Sequence, residues 1–263
     1  TLHGNLNVLA FEQAWQKVLE RHPILRTLFV WENRKKPLQV VRKQVDLPWS
    51  NHDLRSLSPI EQEERLEAFL QADRDKGIEL GKAPLMRFTL IQVADNTYQF
   101  VWSYHHLLMD GWSFPIILKE VFAFYEAFDK GQQIYLKPAR PYRDYITWLQ
   151  QQDRSLAERF WQQALQGFSA PTPLVVDRAI AHHSHLQPAH KLQHQELSPA
   201  MSAAMQSFAR QHHLTLNTLI QGAWALLLSR YSGETDVVFG ATVSGRPTAL
   251  EGVESMVGLF INT

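Results

Sequence analysis

Apolar residues recur at helical spacing along much of the chain. After Ser113, apolar side chains return every three or four residues from Phe114 to Phe128. Ser113 can cap the start of this helix, and Gly131 can end it. A Ser-Pro-Ile-Glu sequence at residues 58–61 combines an N-cap, a first-turn proline and a capping-box glutamate. The other helices are predicted over residues 6–20, 59–76, 142–166, 199–212 and 216–231.

Aromatic and β-branched residues with partial alternation predict strands between these helices. Residues 85–93 and 98–104 flank a polar turn and should form an antiparallel hairpin. Residues 27–31 and 38–45 flank another polar turn and should form a second hairpin. Further strands are predicted at residues 191–197 and 236–243, the last of them buried.

Residues 171–189 are rich in Pro, Ala, Ser and His and lack a sustained period, so we interpret them as a linker. Three histidines in this linker, at positions 182, 183 and 185, are interpreted as solvated residues rather than metal ligands. The linker divides a first lobe, residues 1–170, from the first part of a second lobe, residues 190–263. Strands and helices on both sides of the linker predict an α/β fold, an α+β sandwich.

Composition excludes several classes of protein. The 263 residues include 26 Lys and Arg and 26 Asp and Glu, so the net charge is zero and nucleic acid is an unexpected partner. The chain contains no cysteine, which excludes a disulfide framework, thiol catalysis and cysteine-bound zinc. No apolar run approaches the ~20 residues of a membrane span, and no signal peptide is visible, so we expect no membrane association and a cytoplasmic location.

The candidate chemistry lies where the strand over residues 98–104 meets the helix that follows Ser113. His105, His106, Asp110 and Gly111 occupy this junction. If the strand continued through both histidines, their side chains would point to opposite faces, so they should have different roles. Free N–H groups at the helix start would favour a developing negative charge. Three other interpretations stay open: buried structural histidines, a metal site, and an Asp-Gly that only forms a turn.

The sequence HHLLMDGWS at residues 105–113 resembles the active-site motif of condensation domains of nonribosomal peptide synthetases, relatives of chloramphenicol acetyltransferase. Three further segments resemble motifs of this family in the same order along the chain. They are RHPILRTLF at residues 21–29, YRDYITW at residues 142–148 and VGLFINT at residues 257–263.

This resemblance implies a chloramphenicol acetyltransferase-like architecture of two lobes, with the first lobe nearly complete and the second truncated. It also implies amide bond formation between two thioesters, each held on the phosphopantetheine arm of a carrier protein. An adenylation domain would neighbour the chain in the same polypeptide. His106 would accept the amine proton or anchor the amine, His105 would pack or orient, and Gly111 would complete the catalytic set.

A carboxylate held under the turn needs a charged or hydrogen-bonding partner, so we expect Asp110 to pair with a buried arginine instead of contacting substrate. Arg26 and Arg246 are the candidates, and a catalytic role for Asp110 is the alternative. We prefer Arg26, since the family's corresponding motif places an arginine near this loop. Four other residues are expected to line the cleft: Trp112, Ser244, Arg246 and Asn262.

Four alternatives to a condensation domain stay open. An epimerization domain would use a glutamate from the second lobe, and a heterocyclization domain would carry aspartate in place of His105. A carrier-docking module without catalysis and a free-standing acetyltransferase are the other two. Because residues 256–261 are apolar and lack a polar tail, we expect the chain to be an internal fragment that is inactive alone.

Overall fold

A computed structural model describes residues 1–174 and 193–263 of the chain. Contacts divide these residues into two compact units. The first unit contains Thr1–Gln152 and Ser244–Asn262, and the second contains Asp153–Val243 and Thr263. Most of the predicted linker, including its three histidines, and the start of the predicted strand at residues 191–197 lie outside the described residues.

The first unit combines helices with a four-stranded sheet and a separate hairpin. Its sheet has the strand order β1-β6-β5-β4, and β2 pairs with β3. The elements, in chain order, are β1 (Leu2–His3), α1 (Val8–Arg21), β2 (Thr27–Val30), β3 (Leu38–Val41), β4 (Trp49–Asp53), α2 (Pro59–Lys76), β5 (Met86–Ala94), β6 (Thr97–Tyr104), α3 (Ser113–Asp129) and α4 (Tyr142–Gln150).

The second unit is helical where it is described. Two short strands also lie near the end of the chain and form a two-stranded sheet. The helices of the second unit are α5 (Arg154–Ala164), α6 (Pro199–Gln211) and α7 (Leu216–Ser232). The two strands are β7 (Val243–Ser244), of which Ser244 belongs to the first unit, and β8 (Ile261–Asn262), which belongs entirely to the first unit.

An aromatic core packs α1 and α3 against the sheet. Trp15 of α1 lies 4.7 Å from the ring centroids of both Phe88 and Trp102, on the adjacent strands β5 and β6. The antiparallel register places Phe88 opposite Trp102, and their rings stack at 6.0 Å. Because β6 leads directly into the histidine turn, this packing fixes where the turn begins.

The local patterns predicted most elements of the first unit. Both hairpins are confirmed, as are α1 and α2. The capping box of α2 is present, with Ser58 N donating to the Glu61 carboxylate at 2.8 Å. In the second unit, α6 and α7 are confirmed, and Gly233 adopts the left-handed conformation that ends α7. Strands β1 and β4 were missed because they are short and weakly patterned.

Three predicted elements are wrong. The single helix over residues 142–166 is two helices, because the Asp153 side chain accepts a hydrogen bond from Ser155 N at 2.9 Å and caps a new helix. Within the described residues, 193–197 form no strand, and only Val243 of the predicted strand at 236–243 lies in one. The burial predicted for residues 236–243 is also wrong, since none of them is buried. A strand requires a neighbouring strand that forms hydrogen bonds with it. In the part of the chain that the structure describes, no strand pairs with residues 236–242.

Arg21, His22 and Glu120 form an ion-pair cluster between α1 and α3. His22 is 2% exposed, and its Nε2 lies 2.6 Å from Glu120 Oε2. Arg21 Nε donates to Glu120 Oε1 at 3.0 Å. Burial alone would raise the pKa of Glu120, but the hydrogen bonds and charges of His22 and Arg21 outweigh burial and hold this pKa below its ordinary value.

A carboxylate with a lowered folded-state pKa stabilises the protein above its unfolded pKa, and this stabilisation is lost as pH falls through the folded value. The ordinary value for Glu120 is 4.5. We expect Glu120→Gln to lower the free energy of unfolding at neutral pH by about 1–3 kcal/mol. The difference in the free energy of unfolding between the parent and Glu120→Gln should become smaller as the pH falls below 4.5. Urea unfolding at neutral pH and in acid measures both effects.

Glu126→Gln is the matched control, because Glu126 lies on the same helix, is exposed and makes no ion pair within the described residues. Its free energy of unfolding should stay within ~0.5 kcal/mol of the parent. Equal losses in the two variants, or a difference for Glu120→Gln that does not change with pH, would contradict the assignment.

Candidate active site

The histidine turn lies between β6 and α3. β6 ends at Tyr104, and a short 3-10 helix begins at His106. His105 is half-buried, and its Nδ1 accepts a hydrogen bond from Leu107 N at 3.1 Å. His106 is exposed, and its imidazole makes no hydrogen bond within the described part of the chain. The strand therefore stops before both histidines, and local hydrogen bonding rather than strand alternation distinguishes them.

Asp110 is buried beneath this turn, with 5% of its surface exposed. Its Oδ1 accepts hydrogen bonds from Ser113 N at 3.1 Å and Ser113 Oγ at 3.0 Å. Its Oδ2 accepts from Phe260 N at 3.0 Å, and its own N–H donates to Gly258 O at 3.1 Å. The carboxylate thus joins the start of α3 to residues 258–260.

Arg246 supplies the charged partner of Asp110. Its Nη2 lies 3.4 Å from Asp110 Oδ1, and both side chains are almost fully buried. Nη1 donates to Met256 O at 2.9 Å and also to Val253 O, while Cζ lies 3.9 Å from the centroid of the Phe260 ring. Burial lowers the pKa of the Arg246 guanidinium, and the charge of Asp110 opposes this shift.

The preference for Arg26 as the partner of Asp110 is wrong. Arg26 Nε donates to Leu19 O at 3.1 Å, and its Nη1 donates to Lys43 O at 2.7 Å and to Arg42 O. These carbonyls lie in the last turn of α1 and just beyond β3, so they hold the guanidinium there. Arg26 supports the hairpin, and Arg246 lies under the turn instead of lining a cleft.

Ser113 has a different role from the predicted helix cap. Trp112 is the N-cap residue of α3, and Ser113 is fully buried as the first helical residue. Its Oγ accepts from Gly258 N at 3.1 Å and also lies 3.0 Å from Gly258 O. No local pattern could predict this contact, because 145 positions separate the two residues.

The upper surface of the turn leaves several groups accessible. Gly111 has open space where a side chain would project, and Trp112 is 58% exposed. The amides of Ser113 and Phe114 already donate to Asp110 and Gly111, so the expectation that these helix-start N–H groups are free is wrong for both. The accessible features of the site are therefore the His106 imidazole and the open space at Gly111. The charged side chains of Asp110 and Arg246 are buried beneath the turn.

The other predicted residues fall in different positions. Ser244 and Asn262 are exposed on β7 and β8, and their role in a cleft stays a prediction. Within residues 1–174 and 193–263, no group of three His, Cys, Asp or Glu side chains could hold a metal ion. Of the helices in those same residues, none has the length and apolar character to cross a membrane.

The chain belongs to the condensation-domain family, because the family profile described as Condensation domain matches residues 1–263. One of the linear gramicidin synthase proteins of Brevibacillus parabrevis is 50% identical over 263 residues, which is 100% of this chain and 3% of that protein. Chondramide synthase cmdD of Chondromyces crocatus is 43% identical over 266 residues, covering 100% of this chain and 6% of that protein. The chain thus spans a small part of the length of these curated relatives.

Solved structures share the fold at lower identity. SgcC5 protein from Streptomyces globisporus matches with a TM-score of 0.79 at 21% identity, covering 99% of this chain and 58% of that chain. The epimerization domain from the third module of tyrocidine synthetase B matches with a TM-score of 0.78 at 20% identity, covering 99% and 58% respectively. The predicted mixed α/β fold is confirmed.

We expect Asp110→Ala to destabilise the first unit strongly, because it leaves the Arg246 guanidinium buried without its carboxylate. Removing one partner of such a pair costs roughly 3–5 kcal/mol. Urea or thermal unfolding followed by circular dichroism measures the loss. The control is Asp46→Ala, since Asp46 is exposed and should tolerate the change within ~0.5 kcal/mol. If Asp110→Ala has the stability of the parent, the Asp110–Arg246 pair does not stabilise the fold.

Proposed function

We propose that this chain carries the histidine turn of a nonribosomal peptide synthetase condensation domain that forms amide bonds. The donor would be an acyl or peptidyl thioester, and the acceptor would be an aminoacyl thioester. The observation that carries the proposal is the exposed His106 imidazole on a turn fixed from below by Asp110. Membership of the condensation-domain family gives this geometry its chemical context.

The reaction places three demands on the site. The acceptor amine attacks the donor carbonyl carbon, a C–N bond forms, and the C–S bond breaks to release the donor carrier's thiol. The amine loses a proton in this sequence, and the carbonyl oxygen carries negative charge in the tetrahedral intermediate. Orientation of two tethered substrates, removal of the proton and stabilisation of that charge are therefore required.

His106 is the residue proposed to handle the proton. A neutral imidazole can accept the amine proton or hold the amine by a hydrogen bond, and either role needs an accessible ring nitrogen. His105 has Nδ1 already occupied by Leu107 N, which suits a residue that shapes the turn. Gly111, in the same turn, has open space where a side chain would project.

The partners follow from the same reaction. Two carrier proteins would deliver their thioesters on phosphopantetheine arms, and the chain itself would bind no further cofactor. An adenylation domain in the same polypeptide would load the acceptor carrier. The donor and acceptor residues are set by side chains that contact them, and no described contact identifies either one.

We expect His106→Ala to reduce amide formation by roughly 10²–10⁴, the range for a lost general base. The assay uses the full-length polypeptide that contains residues 1–263, two loaded carriers, and mass spectrometry of the product. Because the side chain is exposed and unpaired within the described residues, the melting temperature should stay at the parental value.

His3→Ala serves as the control, because His3 is also exposed and lies on β1, at the other end of β6 from the turn. It should retain parental turnover. Near-parental turnover of His106→Ala would remove His106 from the mechanism. If the parent inverts the α-carbon of a single loaded substrate and forms no amide, the chain is an epimerization domain instead.

A further inference from the structure

We infer that Tyr142 is a positioning residue for the histidine turn, acting through residues 258–260 and not through contact with substrate. The inference rests on the proposed function for its kinetic consequence. Tyr142 begins α4, and the helical pattern alone identifies it as a core aromatic residue. Tyr142 does pack against the hydrophobic core, and its contacts also connect it to the active-site turn.

The first step is the contact between Tyr142 and the chain segment beneath the turn. The Tyr142 hydroxyl donates a hydrogen bond to Leu259 O at 2.5 Å. The ring of Tyr142 also packs edge-to-face on Phe260, with centroids 5.2 Å apart and an interplanar angle of 89°. One side chain therefore fixes two consecutive residues by a polar and an aromatic contact.

The second step is the close approach of the Tyr142 ring to Gly258. A Cβ atom at position 258 would collide with the ring carbons of Tyr142. Only glycine allows the ring and the backbone to lie this close. The ring therefore packs directly against the backbone of residue 258.

The third step concerns the hydrogen bonds between residues 258–260 and the histidine turn. Gly258 O accepts from Asp110 N at 3.1 Å, and Phe260 N donates to Asp110 Oδ2 at 3.0 Å. Gly258 N donates to Ser113 Oγ at 3.1 Å. Each of these hydrogen bonds depends on where residues 258–260 lie, and Tyr142 contacts all three of those residues.

The protonation state of Tyr142 suits this role. The pKa of Tyr142 is raised to about 12. Burial is the largest cause, and the nearby Tyr145 and the negative charge of Asp110 raise the pKa further. The hydroxyl therefore stays protonated and can donate to Leu259 O throughout the pH range in which an imidazole titrates.

Tyr142→Phe tests the inference, because it removes the hydroxyl and keeps the ring on Gly258 and Phe260. Tyr145→Phe is the matched control: Tyr145 is buried in the same helix and also packs on Phe260 at 4.6 Å. Within the described residues, no hydrogen bond of the Tyr145 hydroxyl is found. Both variants are made in the full-length polypeptide that contains residues 1–263.

The first readout is kinetic. We expect Tyr142→Phe to lower kcat roughly three- to tenfold, the rate factor for an ordinary hydrogen bond, with KM for both loaded carriers unchanged. Tyr145→Phe should keep the parental kcat. Equal kcat values for the two variants, or a change confined to KM, would overturn the inference.

The second readout is amide hydrogen exchange, which does not require catalysis. Tyr142→Phe should speed exchange in peptides covering residues 105–113 and 256–262, while Tyr145→Phe leaves both at the parental rate. Unchanged exchange in Tyr142→Phe would overturn the inference even if the enzyme slowed. A parent that forms no amide would refute the proposed function, and the exchange comparison would still decide whether Tyr142 positions the turn.

Discussion

The active-site turn depends on one buried carboxylate. Asp110 accepts hydrogen bonds from Ser113 and Phe260 and lies beside the Arg246 guanidinium, so it holds together chain segments 150 positions apart. A carboxylate in this position would be costly without those donors, because burial removes the water that would otherwise stabilise its charge. Two of these partners, Arg246 and Phe260, reach Asp110 only when residues 246–260 are folded beneath the turn, so the turn's geometry and this long-range packing form together.

The groups that hold the turn in place and the groups that are accessible for chemistry lie on different sides of the turn. Charged and hydrogen-bonded groups lie under the turn, where Arg246 also contacts the Phe260 ring and the carbonyl oxygen of Met256. The upper surface carries the exposed His106 imidazole and Gly111. An imidazole that makes no hydrogen bond within residues 1–174 and 193–263 can form hydrogen bonds to a substrate without disturbing the fold, provided that the backbone beneath it is held by other residues.

Local signals allowed much of the first unit to be predicted from the sequence. The capping box at Ser58 and the hairpin before His105 depend on neighbouring residues, so spacing and residue type identify them. The partner of Asp110 depends on packing across the chain, and spacing could not choose between Arg26 and Arg246. The strand expected at residues 236–243 failed for a related reason, since apolar composition indicates burial but cannot supply a neighbouring strand.

The same distinction explains why the prediction of Ser113 as a helix cap is wrong. A serine before a helical repeat is usually an N-cap, yet here its hydroxyl contacts the backbone of Gly258 and the Asp110 carboxylate. Gly258 lies in a segment that resembles a family motif, but that resemblance gives no reason for a glycine, and the need for one becomes visible only when the Tyr142 ring is seen against it. Both residues serve contacts between distant segments, so their roles follow from the folded backbone and not from the pattern around them. Candidate catalytic residues can thus be recognised from their residue type in the sequence. The residues that position them are recognised only from their contacts in the folded structure.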